Sequence, residues 1–128
     1  MIERCGISRD ADGLRDGLNR VAELEARFHA EVRVPGDAHG PNAELEKALR
    51  VSDFFGLAQL MLRDALAREE SCGAHFREEH QSAEGEARRD DANFAHIAAW
   101  EHQDGADPIR HSEPLQFTAL QPSTRSYK

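Results

Sequence analysis

A chain of 128 residues is long enough for one folded domain, and a formal net charge of −8 excludes a surface built for nucleic acid or anionic lipid. Phosphate binding requires clustered Lys and Arg, whereas here 24 Asp and Glu outnumber 16 Lys and Arg. Two distant Cys do not form a disulfide framework, which favours reduced thiols. Without an apolar run of membrane-spanning length or a secretion signal, the sequence predicts a soluble chain facing the cytoplasm.

The first long element is an amphipathic helix predicted over residues 9–34, with Asp10 or Asp12 as its N-cap. Its apolar residues recur at steps of three and four, namely Leu14, Leu18, Val21, Phe28 and Val32. Two prolines and two glycines in residues 35–41 then end the helix and predict a connecting loop.

A second helix is predicted from the N-cap Asn42 to about Arg68. The residues expected to be buried are Leu45, Ala48, Leu49, Ser52, Phe55, Leu57, Leu60, Met61, Ala65 and Leu66. Between Phe54 and Leu62 the helix is apolar on more than one side, so it needs neighbours on more than one side. One antiparallel helix would not cover it, and the pattern therefore predicts a third element.

The helical period ends after Arg77. Residues 81–87 read as a loop, residues 94–100 as a strand and residues 103–108 as a turn. Residues 109–111 and 115–120 read as short strands that Pro114 and Pro122 keep at an edge. The sequence thus predicts a helical domain over residues 1–77 and a loop and β extension over residues 78–128.

Cys72 and His75 suggest a thiol nucleophile, because a nearby His can lower a thiol pKa. Glu69 and Glu70 directly precede Cys72 and would raise that pKa, so packing and hydrogen bonding in a tight connection is the favoured interpretation. The His spacings fit no metal-ligand set, and neither Cys-x-x-Cys nor His-Glu-x-x-His occurs. The chain also lacks a Gly-rich loop for the phosphates of a dinucleotide.

The charged residues Arg77, Arg89, Asp90 and Asp91 have two interpretations, an ion-paired corner or a solvated charge run. The corner predicts that Arg77 pairs with Asp90 or Asp91. It also predicts that Gly73 lies where the helix ends and the chain reverses, with positive φ.

Residues 70–77 read Glu-Ser-Cys-Gly-Ala-His-Phe-Arg, and Arg-Asp-Asp follows at residues 89–91. This pattern resembles the C-terminal domain of the flavoprotein subunit of succinate dehydrogenase and fumarate reductase. Cys72 stands where most members have arginine, a form similar to the branch of the Bacteroides-type and green-sulfur-type enzymes. Residues 5–9, 44–48, 50–54 and 124–128 are also similar to the family, so the resemblance covers nearly the whole chain and favours the corner over the solvated run.

The resemblance implies a mainly α fold: a spectrin-repeat-like three-helix bundle followed by an irregular segment with a short β-hairpin. Met1 to Ser8 would be the last turns of the first helix, which is truncated here. The chain would then be a piece of a longer flavoprotein, and the competing interpretation is that Met1 starts a short stand-alone protein.

The implied parent subunit contains FAD, interconverts succinate and fumarate, and passes electrons to an iron–sulfur subunit. Its substrate and flavin residues lie in the flavin-binding and capping domains, so no catalytic, cofactor-binding or metal residue is carried over to this chain. The isolated chain is therefore expected to bind no FAD and to be inactive. It would brace those domains near the iron–sulfur subunit of a complex with a membrane anchor, on the cytoplasmic face of the inner membrane.

The residues assigned a structural or interface role are Ser71, Cys72, Gly73, His75, Arg77, Arg89, Asp90 and Asp91. The alternatives are a free-standing acidic helical interaction module and the C-terminal domain of L-aspartate oxidase. Residues 76–79 and the Arg-Ser-Tyr-Lys ending favour the succinate dehydrogenase branch over the oxidase. An isolated chain with an uncovered apolar helix face is expected to self-associate.

Overall fold

The computed structural model describes residues 1–37 and 39–123. The terminal match at residues 124–128 therefore lies outside the described residues. The helices are α1 (Ile2–Cys5), α2 (Ala11–Glu31), α3 (Ala43–Ala67) and α4 (Asp91–Phe94). The strands are β1 (Ser8–Arg9), β2 (Phe76–Arg77), β3 (His96–Glu101) and β4 (Ile109–Pro114).

The two long helices begin at the predicted caps. The Asp10 carboxylate accepts a hydrogen bond from the Gly13 amide at 2.7 Å, which satisfies one of the free N–H groups at the start of α2. The Asn42 side-chain oxygen accepts from the Glu44 and Leu45 amides, both at 3.1 Å, and so caps α3. These two caps confirm the predicted starts of the helices to within two residues.

The core lies where α2 and α3 pack against each other. Leu14 and Leu62 are fully buried, and Ala65 is nearly so. A Cβ on Gly17 would lie 2.8 Å from Leu62 Cδ2, so the absence of a side chain at Gly17 allows the close approach of the two helices. Farther along the pair, the rings of Phe28 and Phe55 meet edge to face with centroids 5.5 Å apart.

The second apolar face of α3 is exposed, which corrects four of the expected burials. Leu45, Leu49, Leu57 and Met61 are 46%, 59%, 52% and 49% exposed, although the sequence predicted them as core. The reason is that α2 packs along one face of α3, and the four-residue α1 is too short to cover the rest. Val51, Phe54, Leu57 and Met61 form an apolar stripe, in which Phe54 is 61% exposed.

The strands form two small sheets. β1 pairs in parallel with β2, Ser8 opposite Phe76 and Arg9 opposite Arg77, a pairing that the sequence did not predict. α1 ends at Cys5 and Gly6 is extended, so the expected helical turns stop before Ser8. β3 and β4 form an antiparallel hairpin from the pair His96–Pro114 to the pair Glu101–Ile109.

The hairpin differs from the predicted strands in two places. Phe94 belongs to α4 rather than to a strand, because Asp90 caps this short helix. Residues 115–120 are not a strand: the Leu115 amide bonds to the Ala95 carbonyl, after which these residues have no partner strand in the described chain. Phe117 and Leu120 are accordingly exposed.

Polar contacts attach the hairpin to α3. Trp100 Nε1 donates to Asp64 Oδ1 at 3.0 Å, and Arg110 Nε lies 3.7 Å from the same oxygen. Arg63 pairs with Asp107 at 2.7 Å, in the segment that joins β3 to β4. The fold is thus a helical bundle with a short β-hairpin, which confirms the predicted fold class, while the division at residue 77 stays a prediction. In the described residues no helix is long and apolar enough to cross a membrane.

Candidate functional site

In the structure the corner consists of residues 68–79, which follow the end of α3 and turn back toward the start of α2; Arg89, Asp90 and Asp91 lie outside it. Its tip is a tight turn in which Cys72 and His75 exchange two backbone hydrogen bonds, at 2.9 and 3.1 Å. Gly73 lies in this turn with φ of +59°, a conformation that residues with a side chain rarely adopt. The positive φ and the chain reversal at Gly73 are as predicted, but the helix end is not at this residue, because α3 already ends at Ala67.

The Arg77 guanidinium covers the C-terminal end of α3. Arg77 is 2% exposed, and its Nη1 donates to the carbonyl oxygens of Ala65, Leu66 and Arg68 at 2.9, 3.1 and 3.3 Å. The last carbonyls of a helix have no partner within the helix, and they form the negative end of its dipole. A buried cation at this position satisfies both the hydrogen bonds and the charge.

Ser71 fixes the backbone of Arg77. Its hydroxyl accepts a hydrogen bond from the Arg77 amide at 2.8 Å and donates to the Arg77 carbonyl at 3.0 Å. Ser71 is fully buried, and its own amide donates to the carbonyl of Arg88 at 2.9 Å. The hydroxyl therefore supplies the acceptor that the buried Arg77 amide needs, while the Arg77 carbonyl also accepts from the His80 amide at 2.8 Å.

Arg77 pairs with Glu79 rather than with Asp90 or Asp91. Arg77 Nε lies 3.3 Å from Glu79 Oε2, and the other oxygen of Glu79 accepts from the Ala11 amide at the start of α2. Partial burial acts to raise the pKa of Glu79, but the hydrogen bonds from Ala11 and Arg77 outweigh it and lower the pKa to about 2. The predicted pairing is wrong because both aspartates already have other partners.

Arg89, Asp90 and Asp91 form a separate group beside α4. Arg89 pairs with Asp91 at 2.6 Å and donates from Nη1 to the Ser123 carbonyl at 3.1 Å. The hydrogen bond that Arg89 donates to Asp91 raises the pKa of Arg89. Asp90 accepts from the amide and the side chain of Asn93, which makes it the N-cap of α4. The structure therefore divides the four charged residues between two places.

Sequence reasoning missed two carboxylates of the corner, Glu70 and Glu79. Glu70 is 1% exposed; its Oε1 accepts from Arg68 Nε and Nη2 at 2.9 and 2.6 Å, and its Oε2 accepts from the Asp90 amide at 2.8 Å. Glu70 thus links the end of α3 to the segment before α4. A signal existed for Glu79, since residues two apart on an extended chain lie on the same side, as Arg77 and Glu79 do.

His75 bonds to the end of α3 through its ring. His75 Nε2 lies 2.9 Å from the carbonyl oxygen of Arg68, which also accepts from Arg77. Burial is the main cause that lowers the pKa of His75, and the guanidiniums of Arg9, Arg68 and Arg77 lower it further. Cys72 faces His75 through backbone bonds, and the structural role assigned to both residues stays a prediction. The described residues contain no group of three His, Cys, Asp or Glu that could hold a metal ion.

The sequence model of the family described as fumarate reductase flavoprotein C-term matches residues 1–127. The chain belongs to this family. It is 34% identical over 128 residues to the fumarate reductase flavoprotein subunit of Escherichia coli K12, covering 99% of this chain and 20% of the relative. A solved structure of a mutant E. coli quinol fumarate reductase has a TM-score of 0.79 and 30% identity, covering 97% of this chain and 20% of that one.

The other flavoprotein considered from the sequence is also similar, over a shorter stretch. L-aspartate oxidase 2 of Ralstonia nicotianae is 40% identical over 76 residues, which are 59% of this chain and 12% of the oxidase. The fumarate reductase relative matches nearly the whole chain, so it is the better guide to the extension after the corner. The chain spans about a fifth of the length of the fumarate reductase subunit.

Proposed function

We propose that this chain serves as the C-terminal domain of the flavoprotein subunit of a fumarate reductase or succinate dehydrogenase. In that role the parent subunit holds FAD, interconverts succinate and fumarate, and passes electrons to an iron–sulfur subunit. The observation that carries the proposal is the family match over residues 1–127, together with a fold similar to that of a quinol fumarate reductase.

The role of this domain in the parent subunit is to brace the flavin-binding and capping domains. The support is the hydrogen bonding of the corner. The polar groups of the buried side chains Arg77, Ser71 and Glu70 bond to backbone atoms, including those at the end of a helix. Such side chains stabilise a shape and are not free to bind a substrate. Catalytic and flavin-binding residues would then belong to the parent's other domains, and the isolated chain would be inactive without FAD.

The apolar stripe is the surface that meets the rest of the flavoprotein. Phe54, Leu57 and Met61 are each about half exposed or more, and contiguous apolar patches on soluble proteins commonly mark contact sites. In the isolated chain the same stripe would drive self-association. The complex would include an iron–sulfur subunit and a membrane anchor, and in it this domain would lie on the cytoplasmic face of the inner membrane.

A chimera tests the proposal. The C-terminal domain of the E. coli flavoprotein is replaced by this chain, and bound flavin and fumarate reduction are compared with those of the E. coli subunit that lacks the domain. The chimera is expected to retain flavin and to recover activity that the truncated subunit loses. The isolated chain, incubated with FAD and desalted, is expected to be colourless. A yellow isolated chain, or a chimera no better than the truncated subunit, would contradict the proposal.

A second candidate parent is L-aspartate oxidase, which the 40% identity over 76 residues favours. The same exchange into the oxidase from Ralstonia distinguishes the two parents. Recovery of function in the fumarate reductase chimera alone supports the first proposal, and recovery in the oxidase chimera alone supports the second.

A further inference from the structure

The His75 ring lies among three guanidinium groups that come from three different segments. Arg9 belongs to β1, Arg68 follows the last residue of α3, and Arg77 belongs to β2. Arg9 Nη2 donates to the carbonyl of Ala74 at 3.2 Å, one residue before His75. His75 Nε2 and Arg77 Nη1 share the carbonyl oxygen of Arg68, at 2.9 and 3.3 Å. A charged imidazole here would be a fourth cation in a half-buried cluster.

The carboxylates around the ring do not balance these cations. Glu70 pairs with Arg68, and Glu79 pairs with Arg77. Within the described residues Arg9 bonds only to neutral atoms, the Ala74 carbonyl and the Cys5 thiol, and its Nε has no partner. The charged groups on the segments packed around the ring are Arg9, Arg68, Glu69, Glu70, Arg77, Glu78 and Glu79, of which Glu69 is exposed, with the Cys72 thiol at the other end of the turn.

Glu78 does not compensate for the unpaired guanidinium. It follows β2, and one of its carboxylate oxygens accepts from the Ser8 hydroxyl at 2.6 Å. The cluster nearest the ring therefore holds three guanidiniums and two carboxylates that are already paired. A proton added to the imidazole would meet net positive charge in a partly desolvated place, where such charges repel more strongly than in water.

We propose that His75 is a proton-operated latch, whose neutral ring holds the Cys72–His75 turn against the end of α3 and whose charged ring releases it. The neutral ring donates its Nε2–H to the Arg68 carbonyl. When Nδ1 takes up a second proton, the ring becomes a cation beside Arg9, Arg68 and Arg77, and movement toward solvent relieves the repulsion. The bonds nearest the ring then open: the Cys72–His75 pair, and the bond from the Phe76 amide to the Ile7 carbonyl that joins β2 to β1.

Opening of the turn should leave the helix pair intact. Arg77 would still donate to the carbonyls of Ala65 and Leu66, and Ser71 would still bind the Arg77 backbone. The core of Leu14, Leu62 and Ala65 is not in the turn. Release of the latch is thus a local opening, which exposes amide hydrogens to exchange at a lower free energy than global unfolding requires.

The direction of the pH effect follows from burial, which lowers the pKa of His75 from its ordinary value of 6.5. The hydrogen bond to the Arg68 carbonyl acts the other way, but burial and the guanidiniums of Arg9, Arg68 and Arg77 outweigh it. The folded state therefore favours the neutral ring, and the unfolded or opened state takes up the proton more readily. The contribution of the latch is complete above pH 6.5 and is lost as the pH falls from 6.5 toward the lower value of the folded state.

Hydrogen exchange at the Cys72, His75 and Phe76 amides tests the latch. The rates are measured at about pH 8 and about pH 5.5, on the two sides of the ordinary histidine pKa, and corrected for the intrinsic pH dependence of exchange. The wild-type chain is expected to lose protection of these amides severalfold at the lower pH, while amides of α2 and α3 keep theirs. His75→Gln keeps an N–H donor but cannot become charged, so its protection should be independent of pH.

The matched control is His102→Gln, because His102 is 85% exposed and bonds only to Asp104 within the described residues. This variant should keep the wild-type pH dependence. Equal pH dependence in the wild type and in His75→Gln would overturn the latch. Should His75→Gln fail to fold, the ring of His75 is titrated by NMR in the wild type instead. A ring pKa of 6.5 or above, or a titration that leaves the turn amides unmoved, would overturn the latch as well.

Discussion

Arg77 and Glu79 lie two residues apart on one extended segment and serve opposite ends of two helices. Arg77 donates to three carbonyls at the C-terminal end of α3, and Glu79 accepts from the Ala11 amide at the N-terminal end of α2. Each charge has the sign that the helix dipole favours at its position, and the two side chains also pair with each other. One short segment thereby fixes the end of one helix against the start of the other.

Replacing Arg77 with Ala should destabilise the chain strongly. Three helix-end carbonyls would lose their donor, and Glu79 would lose its partner. Loss of hydrogen bonds between a charged donor and buried carbonyls costs about 1.5–3 kcal/mol, which urea unfolding measures directly. The matched control is Arg15→Ala, whose guanidinium is 61% exposed and pairs, among the described residues, only with Asp12, so the expected cost is about 0–1 kcal/mol. Equal losses in the two variants would argue against the capping role.

The two long helices could be predicted from the sequence because their signals are local. Asp10 and Asn42 are good caps placed directly before apolar periods, and both caps are formed in the structure. The period of α3 showed apolar residues on several sides, but it could not show which side had a neighbour. Leu57 and Met61 were therefore expected in the core although they are exposed.

The partners within the corner could not be predicted, since most of them are backbone atoms or distant residues. Arg77 bonds to carbonyls, which carry no sequence signal, and the opposing strands β1 and β2 are too short to show an alternating pattern. The interpretation of Arg77, Arg89, Asp90 and Asp91 as one ion-paired group suggested Asp90 and Asp91 as partners of Arg77. Those aspartates cap α4 and bind Arg89 instead, and only the fold decides between these choices.

Ser71→Ala should cost about 1–3 kcal/mol, because it leaves the buried amide of Arg77 without its partner, whereas the Arg77 carbonyl keeps its hydrogen bond from the His80 amide. The loss is read from thermal or urea unfolding at neutral pH. Ser112→Ala in β4 is a suitable control, since Ser112 is exposed and the change should stay within about 0.5 kcal/mol. A Ser71→Ala chain as stable as the Ser112→Ala chain would mean that another group replaces the hydroxyl.

Glu79 should contribute to stability in a pH window set by its pKa. The folded pKa is about 2 and the ordinary value is 4.5, so the ionised carboxylate is favoured by folding. Its contribution is complete above pH 4.5 and is lost as the pH falls toward 2. Glu79→Gln should therefore be less stable than the wild type at neutral pH, and the difference should shrink across this window.

Glu31→Gln is the control for this titration, because Glu31 is 65% exposed and pairs only with Arg27 at 3.4 Å within the described chain. Its stability difference from the wild type should be small and nearly constant with pH. If Glu79→Gln and Glu31→Gln follow the same curve, the link between Glu79 and the start of α2 does not contribute.

Two glycines in the middle of helices should respond oppositely to alanine. Gly56 in α3 has no atom within 4 Å of the position of an added Cβ, so Gly56→Ala should stabilise the chain by about 0.5–1 kcal/mol. Gly17 in α2 would place that Cβ 2.8 Å from Leu62 Cδ2, and Leu62 is fully buried. Overpacking costs about 1–3 kcal/mol, which offsets or exceeds the same gain, so Gly17→Ala should be the less stable variant.

The apolar stripe should make the isolated chain self-associate. Phe54 and Leu57 are 61% and 52% exposed on the face of α3 that α2 does not cover. A twofold contact would bury the same stripe on both copies, which is the commonest way for a chain to cover such a face. Sedimentation should show a dimer or a larger species whose fraction rises with concentration.

The double variant Phe54→Ser with Leu57→Ser should be more monomeric than the wild type. Its helix content should fall no more than that of a control pair at exposed positions, Glu23→Ser with Arg27→Ser. A wild-type chain that stays monomeric at high concentration would show that the exposed stripe does not suffice for association.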